Sequence, residues 1–297
     1  MPQSLDELVA LLDLEIIEDG LFRGRQPETQ LQRVFGGQVA GQALVAAVRT
    51  VEPDREVHSL HAYFLRPGDT AVPIVYDVER TRDGRSFSTR RVVARQHGKP
   101  IFYLSASFQV PEEGLEHQDP MPAASPPDAC PALGDVMARL SGRNRDAWDR
   151  EWSALDVRYA GDSREGGRLL DPDHPAIARV WLRAAGRLSD EPWLHAAVLA
   201  YSSDLTLLAA SLVPHDLHIG DPRLQPASLD HAMWFHRPFR ADEWLLYDQV
   251  SPSASGGRGL ATGRLFTADG RLAASVVQEG LVRLRSASTS SSSPASR

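Results

Sequence analysis

An apolar, helix-compatible stretch followed by four runs of period-two alternation occurs twice along the chain, in the same order. The first copy opens with "VFGGQVAGQALVAAVRTV" (34–51) and continues through "VHSLHAYFLR" (57–66), "PIVYDVERT" (73–81), "SFSTRRVVARQ" (86–96) and "PIFYLSASFQV" (100–110). The second opens with "PWLHAAVLAYSSDLTLLAASL" (192–212). It continues through "QPASLDHAMWFHRP" (225–238), "EWLLYDQVSPS" (243–253), "GRGLATGRLFT" (257–267) and "RLAASVVQEGLVRLR" (271–285). Alternation over such lengths predicts half-buried strands, and turn signals such as Pro67-Gly68, Asp83-Gly84 and His97-Gly98 make neighbouring strands antiparallel. Local echoes keep the same order: "HAYFLRPGD" (61–69) answers "HAMWFHRPF" (231–239). The pattern therefore predicts an α+β chain of two tandem helix-plus-antiparallel-sheet units, a pseudo-dimer.

The boundaries follow from composition. The first unit is read as 1–112, a Pro/Ala-rich connector as 113–150, the second unit as 151–285, and a serine-rich tail, "SASTSSSSPASR", as a disordered 286–297. Ser4 and Glu7 form a capping-box pattern for an N-terminal helix carrying Leu5, Leu8, Val9 and Leu12 on one face. A short helix is expected near 133–141 in an otherwise exposed connector. Gly37 and Gly41 share a helix face. Gly41 costs about 1 kcal/mol relative to alanine, so the expected benefit is close approach to other backbone.

Several classes of function are excluded or disfavoured. The formal charge of −7 argues against nucleic acid as a partner. No uninterrupted apolar run has the length of a membrane span, and the N-terminus lacks a basic leader, which predicts a cytoplasmic protein. Cys130 is the single cysteine, so neither an internal disulfide nor a multi-cysteine zinc site is available; in its proline-rich surroundings a catalytic thiol is not expected. A Schiff-base enzyme would have to use Lys99, the one lysine. There is no G-x-S-x-G elbow, no Walker A loop and no G-x-G-x-x-G after a strand; "SASGGRG" (253–259) reads as a strand-edge turn. By strand parity, His58 and His61 point to opposite faces, as do His231 and His236, so neither pair clasps a metal. His215, Asp216 and His218 lack a third supported ligand. The same parity puts Ser228 and Asp230 on one face and His231 on the other, which breaks any local Ser/Asp/His triad.

Three polar residues stand in apolar surroundings: Asp204 in the second helical stretch, Ser228 on the run after it, and Gln278 in "LAASVVQEGLV". Satisfied buried polar groups would explain each one alone. Together with "RVFGGQVAGQAL", "VHSLHAYFLRPGD", "YSSDLTL", "SLDHAMWFHRPF" and "ASVVQEGL", they make the chain resemble the acyl-CoA thioesterase II family, TesB type, over about residues 10–285. The resemblance implies a double hotdog, with two sheets joined into one layer and two helices packed on it. It implies fatty acyl-CoA as substrate, hydrolysed to fatty acid and CoA, with no metal or redox cofactor and a homodimeric or homotetrameric assembly.

It also implies the catalytic set Asp204, Ser228 and Gln278; many members carry threonine where this chain has Ser228. Asp204 would be the general base toward an oriented water, held in register by Ser228 and Gln278, with no covalent acyl-enzyme. The Gly36-Gly37 turn is a candidate oxyanion donor. His58 is the second choice for a proton-transfer residue. Arg66, Arg237 and Arg258 are candidates for the CoA phosphates, although Arg66 and Arg237 sit at equivalent "RP" positions and fit a structural salt bridge equally well. A non-catalytic acyl-CoA binding module is the alternative. A hotdog hydratase is weaker, because it would want a histidine where Ala209 stands.

Overall fold

The computed structural model describes residues 1–142, 144–169 and 174–285; the serine-rich tail at 286–297 lies outside the described residues. The first unit comprises α1 (Leu5–Leu12), β1 (Glu15–Glu18), β2 (Leu21–Gly24), α2 (Gly36–Val48), β3 (Glu56–Phe64), β4 (Ile74–Asp83), β5 (Phe87–Gln96) and β6 (Lys99–Gln109). A connector with α3 (Leu133–Ser141) and α4 (Arg145–Trp152) follows. The second unit comprises β7 (Leu155–Asp162), β8 (Ile177–Ala184), α5 (Pro192–Ser203), a 3₁₀ segment (Leu207–His215), β9 (Leu224–Ser228), β10 (Asp230–Phe235), β11 (Leu245–Ser255), β12 (Arg258–Thr267) and β13 (Leu272–Leu284). In each unit an antiparallel strand pair, β1-β2 or β7-β8, thus precedes the long helix, an element absent from the repeat as read in the sequence.

At the first helix, Ser4 Oγ accepts from Glu7 N–H at 3.2 Å. The Glu7 carboxylate takes the Gln3 N–H, one residue earlier than a reciprocal capping box requires.

Among the described residues the strands form one 13-stranded sheet ordered β1-β2-β4-β5-β6-β3-β10-β13-β12-β11-β8-β7, with β9 paired to β13. The order β2-β4-β5-β6-β3 in one half mirrors β8-β11-β12-β13-β10 in the other. The halves meet at β3 and β10, antiparallel, with His231 opposite Ala62 and Met233 opposite Leu60. This is a double hotdog.

Helices α2 and α5 lie antiparallel on one face, and their contact depends on small residues. A Cβ added to Gly37 would sit 2.0 Å from Tyr201 O, and one on Gly41 would sit 3.1 Å from Ala197 O. Ala40 and Ala43 of α2 and Ala197 and Ala200 of α5 are fully buried. The stretch Pro192–His215 is long and apolar enough to cross a membrane by length and composition, but 78% of its most apolar window is buried within the protein. It serves here as the core of the second unit.

The opposite face of the sheet is treated unequally. Over the second half the connector packs down: Trp181 Nε1 donates to Ser125 O at 2.8 Å, and Cys130, Trp181, Leu246 and Phe266 form their own buried cluster. The connector is thus a cover for that half rather than an exposed linker. Over the centre of the sheet, Tyr63 is 50% exposed and Leu65 42%.

Candidate active site

Asp204 stands at the C-cap of α5, where φ −78° and ψ −9° end the helix, rather than inside it. Ser-Ser-Asp side chains compete for backbone groups, which favours termination there. Asp204 Oδ1 accepts from Gln278 Nε2 at 2.5 Å and from Ser228 Oγ at 3.1 Å. The Gly37 N–H also donates to this carboxylate. Helix α2 begins at Phe35 with no side-chain cap of its own, so the acid of the second unit caps the helix of the first. The positive end of the α2 dipole thus faces the carboxylate. Gly36 is required at this point: a Cβ there would lie 2.5 Å from Asp204 Oδ2 and 2.8 Å from the Phe64 ring.

Ser228 is aimed by a break in the strand. The run 225–238 divides at Leu229, whose N–H donates to Glu279 O and whose carbonyl accepts from Phe64 N–H, both at 2.9 Å. Strand β13 pairs with β10 up to Val277 and with β9 from Gly280 onward, so Gln278 falls at the fork. Asp230 Oδ1 holds the fork closed by accepting from Glu279 N–H at 2.7 Å. The extra residue reverses strand parity. Ser228 and His231 both turn toward α5, the reverse of the simple alternation argument, yet no local triad forms, because His231 Nε2 lies 2.8 Å from Ser203 Oγ. Burial lowers the His231 pKa to about 4, so this imidazole is neutral.

Asp204 is half-buried, Ser228 half-buried and Gln278 fully buried. Burial raises the Asp204 pKa to about 6, against the opposing effect of donors from Gln278, Ser228 and the Gly37 amide. A carboxylate so poised is ionised at neutral pH and remains basic enough to accept a proton.

The other sequence candidates go elsewhere. A register slip between Val57 and Ser59 turns His58 to the face away from the helices, the same face as exposed His61, contrary to simple parity. His58 Nε2 lies 2.8 Å from Ser107 Oγ, and its ring meets Phe87 edge-on at 5.7 Å. It is six positions along β3 from Phe64, about 20 Å away at strand rise, with the sheet between it and Asp204. Arg66 Nη1 donates to Pro100 O at 2.6 Å, and Arg237 Nη1 donates to Leu272 O at 3.3 Å. In each case the next residue's carbonyl accepts the arginine's own N–H, Ile101 O and Ala273 O respectively. Among the described residues the two "RP" arginines are equivalent clamps on backbone and neither forms an ion pair. Arg258 pairs with Glu279 at 2.9 Å. It borders a separate cavity of about 770 Å³ lined by Leu212, Leu217, Arg223, Val282 and Arg285, at the far end of the 3₁₀ segment from Asp204. The Gly37 amide is spent on Asp204, which withdraws it as an oxyanion donor. Among the described residues no group of three metal-ligating side chains exists, the His215–His218 loop included. Cys130 is buried and its thiol pKa is raised.

The pseudo-symmetric place in the first unit lacks this chemistry. The C-cap of α2 is Arg49, bonded to Leu14 O and Asp13. Val57 precedes the β3 slip as Ser228 precedes Leu229, and Ala106 occupies the rung answering Gln278. Helix α5 starts with Pro192, which has no N–H to offer. Sequence reasoning named Gly37 for a different role, as an oxyanion donor rather than a partner of Asp204, and it missed a buried set beneath Asp204 that includes Tyr247 and Gln249. Alternate inward polar positions in "LLYDQV" were the available signal for that set.

Comparison with known proteins agrees with this architecture. Residues 25–109 match the family model "Acyl-CoA thioesterase N-terminal domain" and residues 153–281 match "Acyl-CoA thioesterase". The chain is 42% identical over 294 residues to human "Acyl-coenzyme A thioesterase 8", covering 94% of this chain and 89% of that one. It is 38% identical over 288 residues to "Acyl-CoA thioesterase 2" of Haemophilus influenzae, covering 95% and 99%. The crystal structure of the acyl-CoA thioesterase II TesB2 from Mycobacterium marinum superposes with a TM-score of 0.80 at 51% identity, covering 93% and 98%.

Proposed function

Because the chain belongs to the acyl-CoA thioesterase family, we propose that Asp204, Ser228 and Gln278 carry its hydrolytic step, with a fatty acyl-CoA as substrate. It is an acyl-CoA hydrolase. The observation that carries the site assignment is the half-buried Asp204 carboxylate, with a pKa near 6, held at once by Gln278, Ser228 and the N-terminus of α2.

In the proposed mechanism Asp204 takes one proton from a water as that water's oxygen bonds to the thioester carbonyl carbon. The carbonyl becomes a tetrahedral oxyanion, which collapses by breaking the C–S bond. The departing CoA sulfur recovers the proton from Asp204, and the products are a carboxylic acid and CoA. Ser228 and Gln278 hold the carboxylate in one orientation, so less entropy is lost at the moment of attack. A binding module would have no use for a carboxylate kept ionised at this cost. The hydratase alternative has only Ala209 at its expected histidine position.

The expected pH dependence has a definite sign. The base works when deprotonated, so kcat/KM should rise with pH through a midpoint near 6 and then level. Initial rates of thiol release between pH 4.5 and 8 check this; a profile flat across that range would remove Asp204 from the base role.

Assembly and location belong to the same reading. The uncovered centre of the sheet carries Tyr63 against Tyr103 at 5.5 Å and His61 against Trp234 at 5.1 Å. Aromatic, partly apolar surface of this kind suits a second copy of the chain, giving a homodimer or homotetramer. Tyr63→Glu with Trp234→Glu should lower the sedimentation mass to that of one chain; an unchanged mass would place the contact elsewhere. CoA esters are multiply charged and do not cross membranes unaided, so a cytoplasmic location fits the substrate.

A further inference from the structure

Asp204 is aimed by the turn 203–206, and that turn is fixed from beneath by buried side chains of the second unit's sheet. Tyr247 Oη donates to Ser203 O at 3.2 Å. Gln249 Nε2 donates to Thr206 Oγ1 at 2.6 Å. Ser203 Oγ lies 3.2 Å from Ala200 O and 2.8 Å from His231 Nε2. Thr206, with φ −127° and ψ −17°, is neither helical nor capped by its own side chain; it is the joint between α5 and the 3₁₀ segment. Tyr247 and Gln249 alternate on β11 and are fully buried. The Gln249 amide oxygen is buried without a partner among the described residues. A buried, half-satisfied amide is destabilising relative to a leucine of similar size, so packing alone does not explain a glutamine there.

We infer that Gln249 is a positioning residue for Asp204: through Thr206 it fixes the turn that keeps Asp204 Oδ1 within reach of both Ser228 and Gln278. Tyr247 holds the other end of the same turn. This inference rests on the proposed role of Asp204.

Gln249→Leu and Thr206→Val each delete the bond at nearly constant volume, and Thr206→Ser keeps the hydroxyl. With either deletion, kcat should fall on the order of 10- to 100-fold, with KM little changed, because misaimed catalytic groups lose orientation rather than binding. The acid-limb midpoint should move to higher pH, since the donors that hold the carboxylate ionised are less well placed. The melting temperature of Gln249→Leu should equal or exceed that of the parent, and Thr206→Ser should recover most of the lost rate. Asp204→Asn runs in the same assay. If that variant is inactive while Gln249→Leu and Thr206→Val keep the parent rate and pH midpoint, the positioning inference is overturned and the base assignment stands. A loss of rate matched by an equal loss of folded protein overturns it as well. If Asp204→Asn is as active as the parent, the base assignment falls and the inference with it.

Discussion

Asp204→Asn should lower the rate of thiol release from acyl-CoA on the order of 10²- to 10⁴-fold, the range that positioned general bases supply. Asparagine keeps the shape and can still accept from Ser228 and Gln278, so the fold should persist. It cannot take the proton of the attacking water. Stability should move the other way. The Asp204 pKa is raised from 3.8 to about 6, so the native state favours the neutral acid. The stability this group contributes is fully present below pH 3.8 and is lost as pH rises through 6. At pH 8 keeping the ion buried costs at most about 3 kcal/mol, less in proportion to its residual solvent contact. The asparagine variant should therefore gain on the parent in melting temperature between pH 4 and pH 8 while losing turnover. Retained turnover in a folded asparagine variant would discard Asp204 as the base.

Gly37→Ala should be damaging at a position where an ordinary helix would benefit. Alanine in place of a helical glycine normally stabilises by about 1 kcal/mol. Here the new methyl would sit 2.0 Å from Tyr201 O and 2.6 Å from the Phe35 ring. The carbonyl belongs to the backbone of α5 and cannot rotate away, so α2 must lift. Overpacking of this kind costs about 1–3 kcal/mol or more, which outweighs the propensity gain. A net loss of about 2 kcal/mol corresponds to roughly 3–4 °C in melting temperature for a chain of 297 residues. Lifting α2 also draws the Gly37 amide from Asp204, so turnover should fall further than the lost folded fraction explains. Gly114→Ala, where an added Cβ meets nothing within 4 Å, is the control. Equal melting temperatures for the two variants would show that the helix seam has slack.

Periodicity made most of the sheet legible because each long strand packs one face under a helix. Leu60, Leu104 and Leu265 are fully buried at alternate positions of their strands. The hairpin β1-β2 escaped because "EIIE" is exposed at every position and shows no alternation. The end of α5 at Ser203 escaped because no glycine or proline marks it. The site was harder to read for a geometric reason. Residues 37, 204, 228 and 278 come from four separate elements, and residue spacing contains nothing about the β3–β10 joint that brings the units together. The resemblance joined Asp204, Ser228 and Gln278, and it gave no hint that the Gly37 amide serves Asp204 rather than an oxyanion. Simple parity failed at His58 and at Leu229 for one cause, a one-residue irregularity at equivalent points of the two units.

The acid at the end of α5 caps the helix of the other repeat, and the mirrored crossing has Arg49 and Pro192 in the corresponding places. A symmetric pair of separate subunits would form two such crossings, and would lose both on dilution. Covalent linkage replaces that concentration dependence with a fixed local concentration. On the proposed assignment a linked chain needs one crossing for turnover, which leaves the residues at the other free to diverge into scaffold. Gly37 lies in the first repeat and Asp204, Ser228 and Gln278 in the second, so neither repeat expressed alone contains all four residues of the proposed centre. Activity from two cut halves should therefore follow second-order reassembly kinetics, whereas specific activity of the intact chain stays constant as it is diluted.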